Sequence, residues 1–330
     1  MARLLHDASR RLSCIRSGGG SPMTRVVYIM GHGYSGSTLL TFLLSTHPQI
    51  ATIGELGIAP QAKEEFGRPE EYFCSCHTPV RQCGFWQRVS QEMAGRGHPF
   101  DVWDADLDFR VREGGIADVL LRAVQRGPVL ETARDLGLQI VPRARRQRDR
   151  IVSRIDSLAE IVLRIKGCDV FLDSSKRPER ATLMQRSGLF DLRVIHLVRD
   201  GRAVSWSSIK HLGIGPVEAA RSWLADNRGS EHARRYFPAD RWTTLRYEDL
   251  CADPDGTLRR IHAFAGIPSR NGFHNFRAVD HHIIGNEMRL SSTSEIRLDE
   301  SWKKALTPEQ MTTIDRLVAP LNRRYGYGPL

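Results

Sequence analysis

Residues 31–38 read Gly-His-Gly-Tyr-Ser-Gly-Ser-Thr. They follow the apolar run Val26-Val27-Tyr28-Ile29-Met30 and precede Leu39, Leu40, Leu43 and Leu44 at helical spacing. Apolar β-formers, a glycine-rich turn and a helical repeat predict strand–loop–helix. Such a loop aims backbone N–H groups and the positive end of a helix dipole at an anion. The spacing Gly31-x4-Gly36 with Ser37-Thr38 is close to a phosphate-binding loop. Ser37, however, stands where a lysine would reach the β- and γ-phosphates of a nucleoside triphosphate. The pattern therefore keeps an anion and argues against triphosphate chemistry. The plain alternative is a glycine-rich turn that binds nothing.

Other reactive groups sit at the ends of apolar runs. Glu55 follows Ile50-Ala51-Thr52-Ile53. Asp173-Ser174-Ser175-Lys176 closes a run that begins at Asp169. Arg199 closes Leu192–Val198, the strongest strand signal in the chain, and Ser207 lies eight residues beyond it. In an open parallel sheet, ligand residues gather at the carboxyl ends of strands, which brings Glu55 near the Gly31–Thr38 loop. Cys74-Ser-Cys76-His77 and Cys83 offer soft ligands. Zinc, a disulfide and a reduced, partly buried loop are all open readings of that stretch. The spacing is not that of a standard finger, and no metal is assigned to the site.

The elements that must position these groups alternate. The 330 residues, 41% of them hydrophobic, suffice for a large α/β core. A helix is predicted through Ile151, Ile155, Leu158, Val162 and Ile165, which form a narrow apolar stripe, after a basic lead-in of Arg143, Arg145, Arg146, Arg148 and Arg150. Further helices are expected over 203–209, 216–236 (with Trp223 in the core), 254–265 and 308–324, and a strand from Trp242. Strands alternating with helices imply a P-loop-like parallel α/β sheet covered by helices on both faces. Residues 60–135 show weak periodicity and read as short helices. Together with the helix that follows they form an insertion at about 60–165, where the acceptor pocket is expected.

Composition narrows the class. No run of 18 apolar residues exists, so no membrane span is expected. Six cysteines are too few for a disulfide scaffold at this length. The net charge of +10 suits a polyanionic ligand or an acidic partner, and also simple solubility. Residues 1–22 are arginine-rich and lack the apolar core of a secretory signal. They are expected to be a disordered leader, with Met23 as an alternative start and residues 23–330 as one domain.

Three stretches in this order resemble the sulfotransferase family, which uses 3′-phosphoadenosine 5′-phosphosulfate (PAPS) as donor: the Gly31–Thr38 loop, Val198-Arg-Asp-Gly-Arg-Ala203 with Ser207, and Arg246-Tyr-Glu-Asp-Leu250. Ser35-Gly36-Ser37-Thr38, His47-Pro48 and Gly54-Glu55 extend the similarity to tyrosylprotein sulfotransferases. The Gly33–Leu40 loop (Gly-Tyr-Ser-Gly-Ser-Thr-Leu-Leu), Cys74-x-Cys76 before Phe85-Trp86, and Gly285-Asn286-Glu-Met288-Arg289 resemble bacterial members. The resemblance runs from residue 25 to about 304 and is weakest over 88–168.

It implies a sulfotransferase fold and in-line sulfuryl transfer from PAPS to an acceptor hydroxyl, less readily an amine, with no metal needed. Gly33, Tyr34, Ser35, Gly36, Ser37 and Thr38 would cradle the 5′-phosphosulfate. Arg199 and Ser207 would hold the 3′-phosphate; a bidentate guanidinium suits that anion. Arg289 and Arg297 would reach phosphates from a loop, including Ser291-Ser292-Thr293, that closes over the nucleotide. Glu55 would be the general base. Tyr34 departs from the family, which often has Arg or Lys there. His32, Lys176 and Arg177 are the candidate replacements, with Lys176 preferred. A small-molecule, carbohydrate or peptide acceptor, no nucleic-acid partner and a cytoplasmic location complete the expectation. The rivals are a P-loop kinase, whose one evident Mg²⁺ ligand is Asp173, and a polyanion or nucleic-acid binder using the Arg143–Arg150 cluster.

Overall fold

A computed structural model describes residues 23–58, 60–109, 114–121, 128–270, 276, 281–285, 287–290 and 294–329. The basic leader, Asn286 and Ser291–Thr293 lie outside the described residues. The chain runs β1 (Thr24–Gly31), α1 (Ser37–Leu44), β2 (Ile50–Thr52), α2 (Pro60–Phe66), α3 (Gly84–Gly95), α4 (Gly115–Leu121), α5 (Pro128–Ile140) and α6 (Pro142–Lys166). Then come β3 (Val170–Lys176), α7 (Pro178–Ser187), β4 (Phe190–Val198), α8 (Gly201–Leu212), α9 (Pro216–Ala233) and β5 (Trp242–Arg246). Helices α10 (Tyr247–Ala252), α11 (Pro254–Ala265), α12 (Trp302–Ala305) and α13 (Pro308–Arg324) complete it.

Five parallel strands form one sheet in the order β2-β3-β1-β4-β5. The period-two alternation of β1 divides the core. Val26, Tyr28 and Met30 pack with α3, α6 and α7 on one face, and Val27 and Ile29 pack with α1, α10 and α11 on the other. β4 divides the same way: Leu192 and Val194 go to the first face, Ile195 and Leu197 to the second. A third cluster, around the fully buried Trp223, joins α8, α9 and α13 and takes in Trp302.

Residues 60–166, where an insertion is expected, supply α2 to α6, and their apolar residues join the first face. The basic run is not a lead-in to the predicted helix. It lies inside α6, which begins at Pro142, where the missing N–H costs nothing. Arg148 pairs with Asp149 and Arg150 with Asp106, so part of the run is spent on local ion pairs. Helix α9 stops at Ala233, short of the expected Tyr236, and the chain tightens there into a 3₁₀ turn. Among the described residues, no helix is long and apolar enough to cross a membrane.

Candidate active site

The sheet's carboxyl edge gathers the predicted groups. β1 and β4 are neighbours along their whole length, so the Gly31–Thr38 loop and Arg199 leave the sheet side by side. β3 flanks β1 on its other side, with Met30 opposite Lys176. The pairing slips between Tyr28 and Met30: β3 uses one residue more than β1 over this stretch, which re-aims Lys176. Lys176 adopts φ +69°, a conformation a lysine rarely takes and one that a fold retains where surrounding contacts demand it. Its ammonium forms an ion pair with Glu55 Oε1.

Glu55 is held from two sides. Its N–H donates to Ile284 O (3.4 Å), and the N–H of Leu56 donates to Ser175 Oγ (2.9 Å). Ahead of it, Gly54 bridges to Ile284, and a β-carbon on Gly54 would stand 2.3 Å from Ile284 O. The carboxylate of Glu55 is partly exposed and faces Gly285.

The loop between β1 and α1 turns through Tyr34 at φ +61° and Gly36 at φ +91°. Gly36 is needed twice, for that conformation and for the Tyr247 ring, which a β-carbon would meet at 2.2 Å. Ser35 and Ser37 are buried, and Ser35 Oγ lacks a hydrogen-bond partner. Tyr34 stacks on His211 of α8, with centroids 5.4 Å apart.

Arg199 is 6% exposed and closes this loop from the β4 side. Its Nη1 donates to Tyr34 O at 3.0 Å, and its Nη2 to Asp299 O at 2.9 Å and Asp299 Oδ2 at 3.4 Å. Its Nε has no partner, and the guanidinium lies 4.6 Å over the Tyr247 ring. Burial raises the Asp299 carboxyl, but hydrogen bonds from Ser301 and the Arg199 charge outweigh it and hold the group below the usual carboxylate range. Ser207 is buried on α8 and donates to Ala203 O at 3.1 Å.

Other predicted residues lie elsewhere. The Arg297 side chain is exposed and paired with Glu295; only its carbonyl reaches the site, accepting from Tyr247 Oη at 3.3 Å. Arg289 is buried over the Tyr72 ring and donates to Phe73 O and Gly285 O, so it braces the wall behind Glu55. Of the candidate cations, His32 turns to Ser222 and Asp226 on α9, and Arg177 is exposed against Glu179. Only Lys176 reaches Glu55. Asp173, the ligand a kinase would need, is fully buried beneath the sheet edge, and burial pushes its carboxyl above the usual carboxylate range.

Sequence reasoning passed over Tyr247, Asp299 and Gly285. Tyr247 lay inside a quoted motif, but only packing shows it beneath both Gly36 and Arg199. Gly285 also lay inside a quoted motif but acts through its backbone, and Asp299 meets Arg199 through both its carbonyl and its carboxylate, a contact between segments 100 positions apart.

This architecture is that of the α/β transferases that cradle an anion on a strand–loop–helix turn. The chain belongs to the sulfotransferase family: the family profile matches residues 27–271. Among solved structures, the sulfotransferase domain from the Synechococcus PCC 7002 olefin synthase is similar at a TM-score of 0.54 and 19% identity, covering 96% of this chain and 99% of that one. The sulfotransferase domain from the curacin biosynthetic pathway gives 0.48 and 16%, covering 94% and 100%. Sulfotransferase STF9 from Mycobacterium avium gives 0.44 and 14%, covering 99% and 81%. Only the first of these bears on the fold, and at 19% identity it bears on nothing else. No curated protein matches the chain.

Proposed function

We propose that the protein transfers a sulfuryl group from PAPS to an acceptor hydroxyl, less readily an amine. The observation that carries this reading is the strand register that sets Lys176 beside Met30, at the foot of the anion loop, with Glu55 ion-paired to it. The donor set fits a doubly anionic nucleotide. The 33–38 loop offers backbone amides, Ser35 Oγ and Arg199 Nε are buried without partners, and the Ser37 hydroxyl opens α1.

In this reading Glu55 takes the acceptor proton as the acceptor oxygen bonds to sulfur in line with the departing 5′-phosphate oxygen. The sulfur–oxygen bond to the 5′-phosphate breaks. Lys176, the loop amides and the Ser37 and Thr38 hydroxyls stabilise the charge that develops there. Lys176 thereby replaces the basic residue that Tyr34 does not supply. Arg199, with Ser207 on the following helix, recognises the 3′-phosphate, and the Asp299 contact yields to it.

The test is ligand-induced stabilisation. The product 3′-phosphoadenosine 5′-phosphate should raise the Tm, by about 2.7 kcal/mol of added stability at a hundredfold excess over Kd. ATP with magnesium should do much less. A clear ATP shift with none from the bisphosphate would overturn the donor assignment.

A further inference from the structure

Cys74, Cys76 and Cys83 converge with His282, and their four ligand atoms all lie within 4.8 Å of one another. We propose that these four residues bind one structural Zn²⁺. His77, which adjoins Cys76 in the sequence, is not among them: it is exposed, at the turn between the cysteines. The fourth ligand comes instead from 199 residues beyond Cys83.

The spacings fit a tetrahedron. Zn–S of about 2.3 Å and Zn–N of about 2.0–2.1 Å imply edges of about 3.8 Å between sulfurs and about 3.6 Å between sulfur and nitrogen. Cys76 Sγ lies 3.6 Å from Cys83 Sγ, and His282 Nδ1 lies 3.3 Å from Cys83 Sγ and 3.9 Å from Cys74 Sγ. All three cysteines are free thiols.

The surroundings preset the ligands. Phe73 and Pro79 pair across a tight turn closed by Cys74 N–H to Thr78 O at 3.0 Å, which brings Cys74 and Cys76 together. Cys83 lies just ahead of α3, and Phe85 in its first turn stacks flat on the His282 ring at 4.6 Å. His282 takes φ +50°, which the fold must impose on it. Binding converts three thiols to thiolates, releases three protons to solvent and leaves a ZnCys₃His site of net charge −1.

The site would be structural, because its four protein ligands close the coordination shell. It would tie the 72–83 loop to the 281–285 segment. That segment is already laced to the loop by Ser75 N–H to Ile283 O (3.1 Å), Ile283 N–H to Ser75 Oγ (2.7 Å) and Tyr72 Oη to Gly285 O (2.9 Å). Ile284 in turn holds the backbone of Gly54 and Glu55. The metal would thus brace the wall that presents Glu55 without touching substrate.

The experiment is elemental analysis of full-length protein purified under reducing, chelator-free conditions, followed by thiol titration and cobalt reconstitution. About one zinc per chain is expected, released on thiol modification, together with a tetrahedral cobalt–thiolate spectrum. His282→Ala and Cys83→Ser should each lose the zinc; if either fails to fold, the wild-type metal content and cobalt spectrum decide. All six thiols reacting with no metal released, or two thiols missing as a disulfide, would overturn the proposal. So would stoichiometric iron in place of zinc, or zinc retained in folded His282→Ala.

Discussion

Glu55 and Lys176 stand 121 positions apart in the chain and meet as an ion pair at the ends of β2 and β3. The pairing gives each a function in the proposed chemistry. In that chemistry the carboxylate would accept the acceptor proton, and the ammonium beside it would turn to the leaving phosphate. Glu55→Gln is nearly isosteric, keeps the Gly54–Ile284 bridge and removes the base. Its kcat with a saturating acceptor should fall roughly 10²- to 10⁴-fold, with donor affinity retained. A kcat near the wild-type value would remove Glu55 from the mechanism. His32, in the anion loop, offers no ready substitute base, being turned toward Ser222 on α9.

At the scale of elements, Arg199 is a strap between the end of β4, the loop after β1 and Asp299 in the segment before α12. Two roles are combined in it: holding the Tyr34 carbonyl and, by proposal, meeting the 3′-phosphate. A hydrogen bond to a charged group contributes about 1.5–3 kcal/mol, so Arg199→Ala should weaken PAPS binding roughly 10- to 150-fold. Adenosine 5′-phosphosulfate, which lacks the 3′-phosphate, separates the roles in a double-mutant cycle. If phosphate recognition dominates, the mutation should hardly change the weaker binding of this truncated donor. An equal loss with both donors would assign Arg199 to loop positioning alone.

For the whole molecule, acid stability should depend on histidines that are buried neutral. His196 lies in the carboxyl-terminal part of β4, 1% exposed, with Nε2–H donating to Asn227 Oδ1 at 3.1 Å. Burial lowers its pKa to about 4. The unfolded chain takes up the proton near pH 6.5 and the folded chain does not. Stability from this group is therefore complete above that pH and declines as pH falls toward 4, at about 1.4 kcal/mol per pH unit. Below 4 the loss levels off. His262 is also pushed down to about 4 by burial and adds to the slope. His196→Gln should flatten the decline in stability between pH 6.5 and 4, measured by denaturant unfolding across that range. An unchanged slope would show that His196 does not carry it.

The sequence by itself determined the strand–loop–helix at residues 24–44, the order of the elements and the parallel sheet. Apolar alternation, glycine turns and helical spacing are local signals, and β4, α11 and α13 fall close to where those signals put them. Strand ends in such a sheet face one edge, which pointed to Glu55 and Arg199, and the family resemblance preferred Lys176. Among His32, Lys176 and Arg177 the sequence preferred Lys176, but only the tertiary structure brings it against Glu55, at the strand end that the extra residue in β3 re-aims. The same holds for Arg289 and Arg297, one buried against Tyr72 and the other left in solvent. It holds again for the cysteine cluster, whose fourth member is His282 rather than the adjacent His77. Contacts between distant segments depend on how the sheet stacks and where loops cross, and no periodicity within a single segment records them.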